Sequence, residues 1–223
     1  MKADFKNSPI LITGIERSGS SIIAKIIASC KVMVGCTTEM MENSAIKRLV
    51  DNYYTEDLFM PINGQKPQPN VNELNIPSGW NNTIQNILIS GGYKTDIPWM
   101  YKSARIAQIY PVWQYAFPNA KYIIVRRKTS DIIHSCLKTG FMTAYQDKDG
   151  WLDWIHHQER LFVGMIEAGL NCKQVWPERM VYGDYSQVYE MLEWLGLEWN
   201  DGIVNLVTPL LKNSTQKIKE GIR

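Results

Sequence analysis

The chain has 223 residues, the size of one α/β domain whose core needs neither disulfides nor a structural metal. Hydrophobic residues make up 45% and charged residues 21%, close to globular averages, which excludes disordered and fibrous classes. Lys and Arg number 24 against 22 Asp and Glu, a net +2, so a chain-wide nucleic-acid or membrane-surface footprint is excluded and any anion site must be local.

The first element is Pro9-Ile10-Leu11-Ile12-Thr13, an apolar run between Pro and Gly that suits a strand buried on both faces. The loop Gly14-Ile15-Glu16-Arg17-Ser18-Gly19-Ser20-Ser21 follows, then Ile22, Ile23, Ile26 and Ile27 at helical spacing, with Ser20 and Ser21 as N-cap candidates. Lys31 to Val34 reads as a short strand and Glu39 to Tyr53 as a helix. From about Thr55 to Pro98 the pattern dissolves into Pro, Asn and Gly, apart from an amphipathic piece near Trp80 to Ile89. A segment of that kind inside one domain reads as a substrate-side insertion or lid.

Regular structure returns with a strand at Trp99 to Lys102 and a helical stretch from Ile106 to Phe117 containing Pro111. Lys121-Tyr122-Ile123-Ile124-Val125 is the second strongly apolar strand, ending in Arg126-Arg127. Helices are expected at Asp131 to Lys138, closed by Gly140, at Trp151 to Gly169, and at Tyr185 to Leu195, ended by Gly196. Arg179 to Tyr182 reads as a late strand. Strands alternating with helices imply one three-layer α/β domain over residues 1–223, with a mostly parallel sheet covered on both faces.

Eight Trp and eleven Tyr suggest a pocket lined with flat rings; Trp80, Tyr93 and Trp99 are candidates to stack on a substrate ring. Cys30, Cys36, Cys136 and Cys172 show no metal-ligand spacing and read as reduced thiols. His156 and His157 are adjacent on a helix and point apart, so no metal site is expected. The N-terminus lacks a signal-peptide pattern, and no stretch reaches the ~18 apolar residues of a membrane helix, so the chain reads as cytoplasmic.

The Gly14–Ser21 loop carries the strongest chemical signal. A buried strand feeding a glycine-bearing turn and a helix N-terminus aims free backbone N–H groups at one point, an anion cradle. The nucleotide P-loop carries Lys directly after its second Gly; here Gly19 is followed by Ser20, and the basic residue, Arg17, lies inside the loop. A second constellation is Arg127 at a strand end, where ligands of open α/β sheets bind, with Ser135 eight residues on in the next helix.

GIERSGSS after PILIT, YIIVRRKTSDIIHS, the segment PWMYKSARIAQIYPVWQYAFPNAKYIIVRR and the segment MVYGDYSQVYEMLEWLGLEWN together resemble the sulfotransferase family, from Pro9 to about Asp201. The first segment is similar to the loop that grips the 5′-phosphosulfate of PAPS (3′-phosphoadenosine 5′-phosphosulfate), the second to the 3′-phosphate motif. Thr129 stands where that motif usually has Pro, and Gly183 where Tyr-Glu-Asp-like turns have Glu.

The resemblance implies transfer of a sulfuryl group from PAPS, leaving PAP, to a hydroxyl or amine of a small-molecule, glycan or peptide acceptor, with no metal. It implies that Arg17, Ser18, Gly19, Ser20 and Ser21 hold the 5′ end, Arg127 and Ser135 the 3′-phosphate, and Tyr182 the adenine side. Arg17 and Lys102 would stabilise charge at the transferring group. Ala104 occupies the place of the catalytic His of the cytosolic branch. GCTTEMMEN is similar instead to the Glu-bearing stretch of tyrosylprotein sulfotransferases, which implies Glu39 as base, with Glu42 its competitor one turn on. Lys217 and Lys219 are candidates to close over the 3′-phosphate. The alternatives are a P-loop small-molecule or nucleoside kinase, for which Asp184 is the best-placed metal ligand, and a non-catalytic nucleotide-binding protein.

Overall fold

The computed structural model describes residues 6–208; Lys217 and Lys219 lie outside them. Four strands form one fully parallel sheet in the order β2-β1-β3-β4, with β1 Ile10–Gly14, β2 Met100–Lys102, β3 Lys121–Val125 and β4 Asn171–Val175. The α/β expectation holds. The two-residue alternation of each strand divides the core. Leu11, Tyr122 and Ile124 face one helical layer, and Ile10, Ile12, Ile123 and Val125 face the other.

The α-helices are α1 Ser20–Ser29, α2 Ser44–Asn52, α3 Trp80–Ser90, α4 Arg105–Gln108, α5 Tyr110–Ala116, α6 Thr129–Leu137, α7 Lys148–Glu167, α8 Glu178–Val181 and α9 Ser186–Leu195. The first layer includes residues of α2, α3, α5 and α7, the second residues of α1 and α9. The stretch around Pro111 divides at Ile109, whose φ of −130° breaks the helix, and Pro111 sits in the first turn of α5, where its missing N–H costs nothing.

Three local expectations are corrected. Arg179 to Tyr182 is no strand: a single helical turn, α8, follows Pro177, and the strand is β4, eight residues earlier. Lys31 to Val34 makes only an isolated bridge from Met33 to Trp99. The helix expected from Glu39 begins at Ser44. Asn43 caps it, its side chain accepting from the N–H groups of Ala45 and Ile46 at 3.1 Å, and Met41 before it has a φ of +62°.

The Thr55–Pro98 segment serves two purposes. Its second half, α3, is a core helix: Trp80, Ile84 and Leu88 are buried, and Trp80 meets Trp113 edge-on with ring centroids 6.0 Å apart. Its first half reaches the strand ends through Ile62, Gly64 and Gln65. Trp80, Tyr93 and Trp99 are all buried in the core, so these rings are not the ones a substrate meets. The four cysteines form no disulfide. Among the described residues no helix is long and apolar enough to cross a membrane.

Candidate active site

Parallel registry brings the chemistry to one edge. Ile12 pairs with both Lys102 and Ile123, Gly14 pairs with Val125, and Val125 with Val175. The segments that leave these strand ends, 15–21, 103–105 and 126–128, therefore emerge side by side. Between them and α2 opens a cleft of about 530 Å³, lined by Glu16, Arg17, Gly19, Ser20 and Ser21 on one side and Lys102, Arg105 and Arg127 on another.

The loop after β1 has its shape forced by two glycines. A Cβ on Gly14 would come within 2.6 Å of the Val125 carbonyl and 2.7 Å of Ser18 Oγ, closer than real Cβ contacts allow. Gly19 has a φ of +94°, a conformation open to Gly at little cost. It caps α1 with no side-chain hydrogen bond; the Ile22 N–H donates to the Gly19 carbonyl at 3.1 Å, and those of Ser20 and Ser21, which have no intrahelical acceptor, are free for a ligand. Ser18 Oγ is buried and has no hydrogen-bond partner. Free donors at a helix N-terminus fit a phosphate or sulfuryl group; Ser18 itself does not line the cleft.

Arg17 is the hub. It adopts a φ of +68°, its Nε donates to Ser135 Oγ at 2.9 Å, and its carbonyl accepts from Arg127 Nη1 at 2.8 Å. Residues separated by more than a hundred positions are thus gathered at one point. The bond to Arg17 uses one of the five N–H donors of Arg127. Ser135 touches Arg17 without itself lining the cleft.

Lys102 is 8% exposed, and its Nζ lies 3.4 Å from Glu42 Oε1. Both line the cleft. Glu39, in the turn before α2, is exposed and does not line it. Tyr182, just after α8, is 80% exposed and also stands outside the cleft lining. Asp184 is tied to Arg179 at 2.9 Å and accepts from the Ser186 hydroxyl and N–H. Among the described residues no group of three or more His, Cys, Asp or Glu is placed to hold a metal.

Sequence reasoning passed over Glu16, Asp51 and Arg105, all in the cleft wall. A signal existed for one of them, since Lys47 and Asp51 have the i,i+4 spacing of a helical ion pair and do pair. Glu16 accepts from Trp154 Nε1 at 3.0 Å. Burial pushes its carboxyl above the ordinary carboxylate range, against the lowering pull of its hydrogen bonds and of Arg105 and Lys102. Such a group stabilises the fold in its protonated form, fully below the unfolded-state pKa, and the contribution is lost as pH rises through the folded-state value. The Tm of Glu16→Gln relative to the wild type should therefore rise from about pH 4 to about pH 8. A difference that stays constant over that range means that Glu16 titrates like an exposed carboxylate.

A parallel sheet with a glycine-bearing loop after its first strand and cations at the neighbouring strand ends is an arrangement suited to an anionic ligand. The family model described as "Sulfotransferase family" matches residues 9–201, and the chain belongs to that family. In three dimensions it is similar to the sulfotransferase STF1 of Mycobacterium tuberculosis H37Rv, with a TM-score of 0.51 at 13% identity over 91% of this chain and 71% of that one; this likeness concerns the fold. No curated protein matches the sequence. The family supports sulfuryl transfer.

Proposed function

We propose that the chain transfers a sulfuryl group from PAPS to a hydroxyl or amine of an acceptor held in the cleft. The observation that carries this reading is the convergence of Arg127, Ser135 and Arg17 beside the free N-terminus of α1. A 3′-phosphate on Arg127 and Ser135 and a 5′-phosphosulfate on Gly19, Ser20 and Ser21 would meet across Arg17. Ser18, whose hydroxyl is unpartnered, adds a donor on the 5′ side. Tyr182 is retained as an adenine-side residue, its exposed ring free to cover a base.

The cleft supplies the two charges that in-line transfer needs. Lys102 would stabilise the negative charge that grows on the leaving phosphate as the S–O bond breaks, in the manner of cations at phosphoryl transfer. Glu42, 3.4 Å from Lys102, would accept the acceptor's proton. The base role, which the sequence resemblance put at Glu39, moves three residues on because Glu42 lines the cleft and Glu39 does not. A reducing, cytoplasmic setting suits thiols that form no disulfide.

A thermal-shift panel with PAP, ADP, AMP and ATP–Mg²⁺ tests the nucleotide class, because stabilisation grows with ligand concentration over Kd. PAP should raise the Tm most, and without added metal. Equal shifts by PAP and ADP, or a larger shift by ATP–Mg²⁺, would point to the kinase reading instead.

A further inference from the structure

Beyond the Lys102–Glu42 pair, the cleft continues along a wall formed by α2 and the start of α4. Arg105 opens α4, three residues after Lys102. Its guanidinium lies 4.5 Å from the centroid of the Tyr54 ring, and Nη2 donates to the Gly64 carbonyl at 3.4 Å. Its Nε stands 4.0 Å from Asp51 Oδ1, beyond hydrogen-bonding reach. Arg105 Nη1 and Asp51 Oδ1 are both buried and without a hydrogen-bond partner, while the other Asp51 oxygen is held by Lys47. The two side chains form an ion pair that stops short of a hydrogen bond, which leaves a strong donor and a strong acceptor on one wall unsatisfied until a ligand completes them.

We propose that Arg105 and Asp51 read the acceptor, and that the acceptor is a neutral polyhydroxylated ring, a sugar. The proposal rests on the sulfuryl-transfer reading above and narrows its acceptor. A hydroxyl both donates and accepts, so neighbouring hydroxyls satisfy Asp51 and Arg105 together. A carboxylate or phosphate in the same place meets Asp51, and an ammonium meets Arg105.

Two further observations agree. The cations on this side of the cleft each have a carboxylate beside them, Lys47 and Arg105 sharing Asp51 and Lys102 facing Glu42; an acidic peptide needs cations without such partners. The aromatic residues lining the cleft are Tyr101, fully buried and stacked on Trp113, and Phe141, which is half exposed. A flat phenol between two rings has no second ring to meet, whereas the C–H face of a pyranose packs on Phe141 alone. In the reaction, the S–O bond to the phosphate of PAPS breaks, an S–O bond to one sugar hydroxyl forms, and that hydroxyl's proton passes to Glu42.

The test offers sulfur-labelled PAPS and the whole protein three acceptor probes: a methyl hexopyranoside, para-nitrophenol, and a tyrosine peptide flanked by glutamates. Label should enter the glycoside alone. Asp51→Leu and Arg105→Leu should each lower kcat/KM for the glycoside about tenfold or more with PAP affinity, measured by calorimetry, unchanged; that affinity also reports that each variant is folded. Label in the phenol or the peptide instead, no label in any probe while PAP still binds, or full glycoside activity in both variants overturns the acceptor proposal and leaves sulfuryl transfer standing. A wild-type protein that fails to bind PAP overturns both.

Discussion

Glu42→Gln should lower PAPS turnover by about 10²–10⁴-fold, the usual loss when a general base is removed, while Glu39→Gln stays close to wild type. Glu42 is partly buried in the cleft wall, and Lys102 lies 3.4 Å from its Oε1, so the carboxylate stands beside the place where the acceptor's proton would be released. Gln preserves its size and can still accept from Lys102, so packing is kept and only the proton acceptor is lost. PAP affinity should change little, because no nucleotide phosphate is assigned to Glu42. PAP release under saturating PAPS, followed for both variants, separates the two residues. Normal turnover in both would mean that neither carboxylate is the base.

Lys102→Met should lower turnover by roughly 10²–10³-fold, the scale for losing one preorganised group at a developing charge. At 8% exposure the Lys102 side chain is largely out of water, where one charge counts for more than at the surface. The substitution also leaves Glu42 without its partner, so part of the loss has a different origin. The double variant Lys102→Met with Glu42→Gln removes that part. If the two residues act as a pair, it should be no slower than the product of the single effects. Rates of all three variants, measured with the same acceptor, check this, and a Lys102→Met enzyme within a few-fold of wild type would place the stabilising charge on Arg17 alone.

What the sequence disclosed follows from where burial is complete. β1 and β3 are central strands, buried on both faces, and such strands write themselves as apolar runs: Ile10 to Ile12 and Tyr122 to Val125 are legible without any structure. β4 is the edge strand Asn171-Cys172-Lys173-Gln174-Val175, mostly part-exposed, and its polar residues hid it. The apolar Met180-Val181 downstream drew the strand assignment to a segment that Pro177 starts as a helical turn.

The loop and its helix were readable because Gly14 and Gly19 are demanded by close approach and positive φ. The Arg127–Ser135 pair and Arg17 were named apart from each other in the sequence; their meeting needed the sheet to bring residues 110 and 118 positions apart into contact. The sequence resemblance pointed to Glu39 with Glu42 as its competitor; which of the two lines the cleft depends on the turn before α2, shaped by Asn43 and the positive φ of Met41. The abundance of rings suggested a lined pocket, yet Trp99, Trp113, Trp151 and Trp154 are fully buried: composition counts rings without saying which face of a helix carries them.

The most direct test of the account is the ratio of AMP to PAP dissociation constants, measured calorimetrically for the wild type and for Arg127→Ala. The two ligands differ by one 3′-phosphate, so the ratio isolates the contact assigned to Arg127 and Ser135. A charge-assisted contact of this kind is worth about 1.5–3 kcal/mol, or roughly ten- to a hundredfold in affinity. The account predicts a strong wild-type preference for PAP that falls by that factor in Arg127→Ala while AMP binding is nearly unchanged. A ratio near one in the wild type, or one that survives the substitution intact, would contradict it.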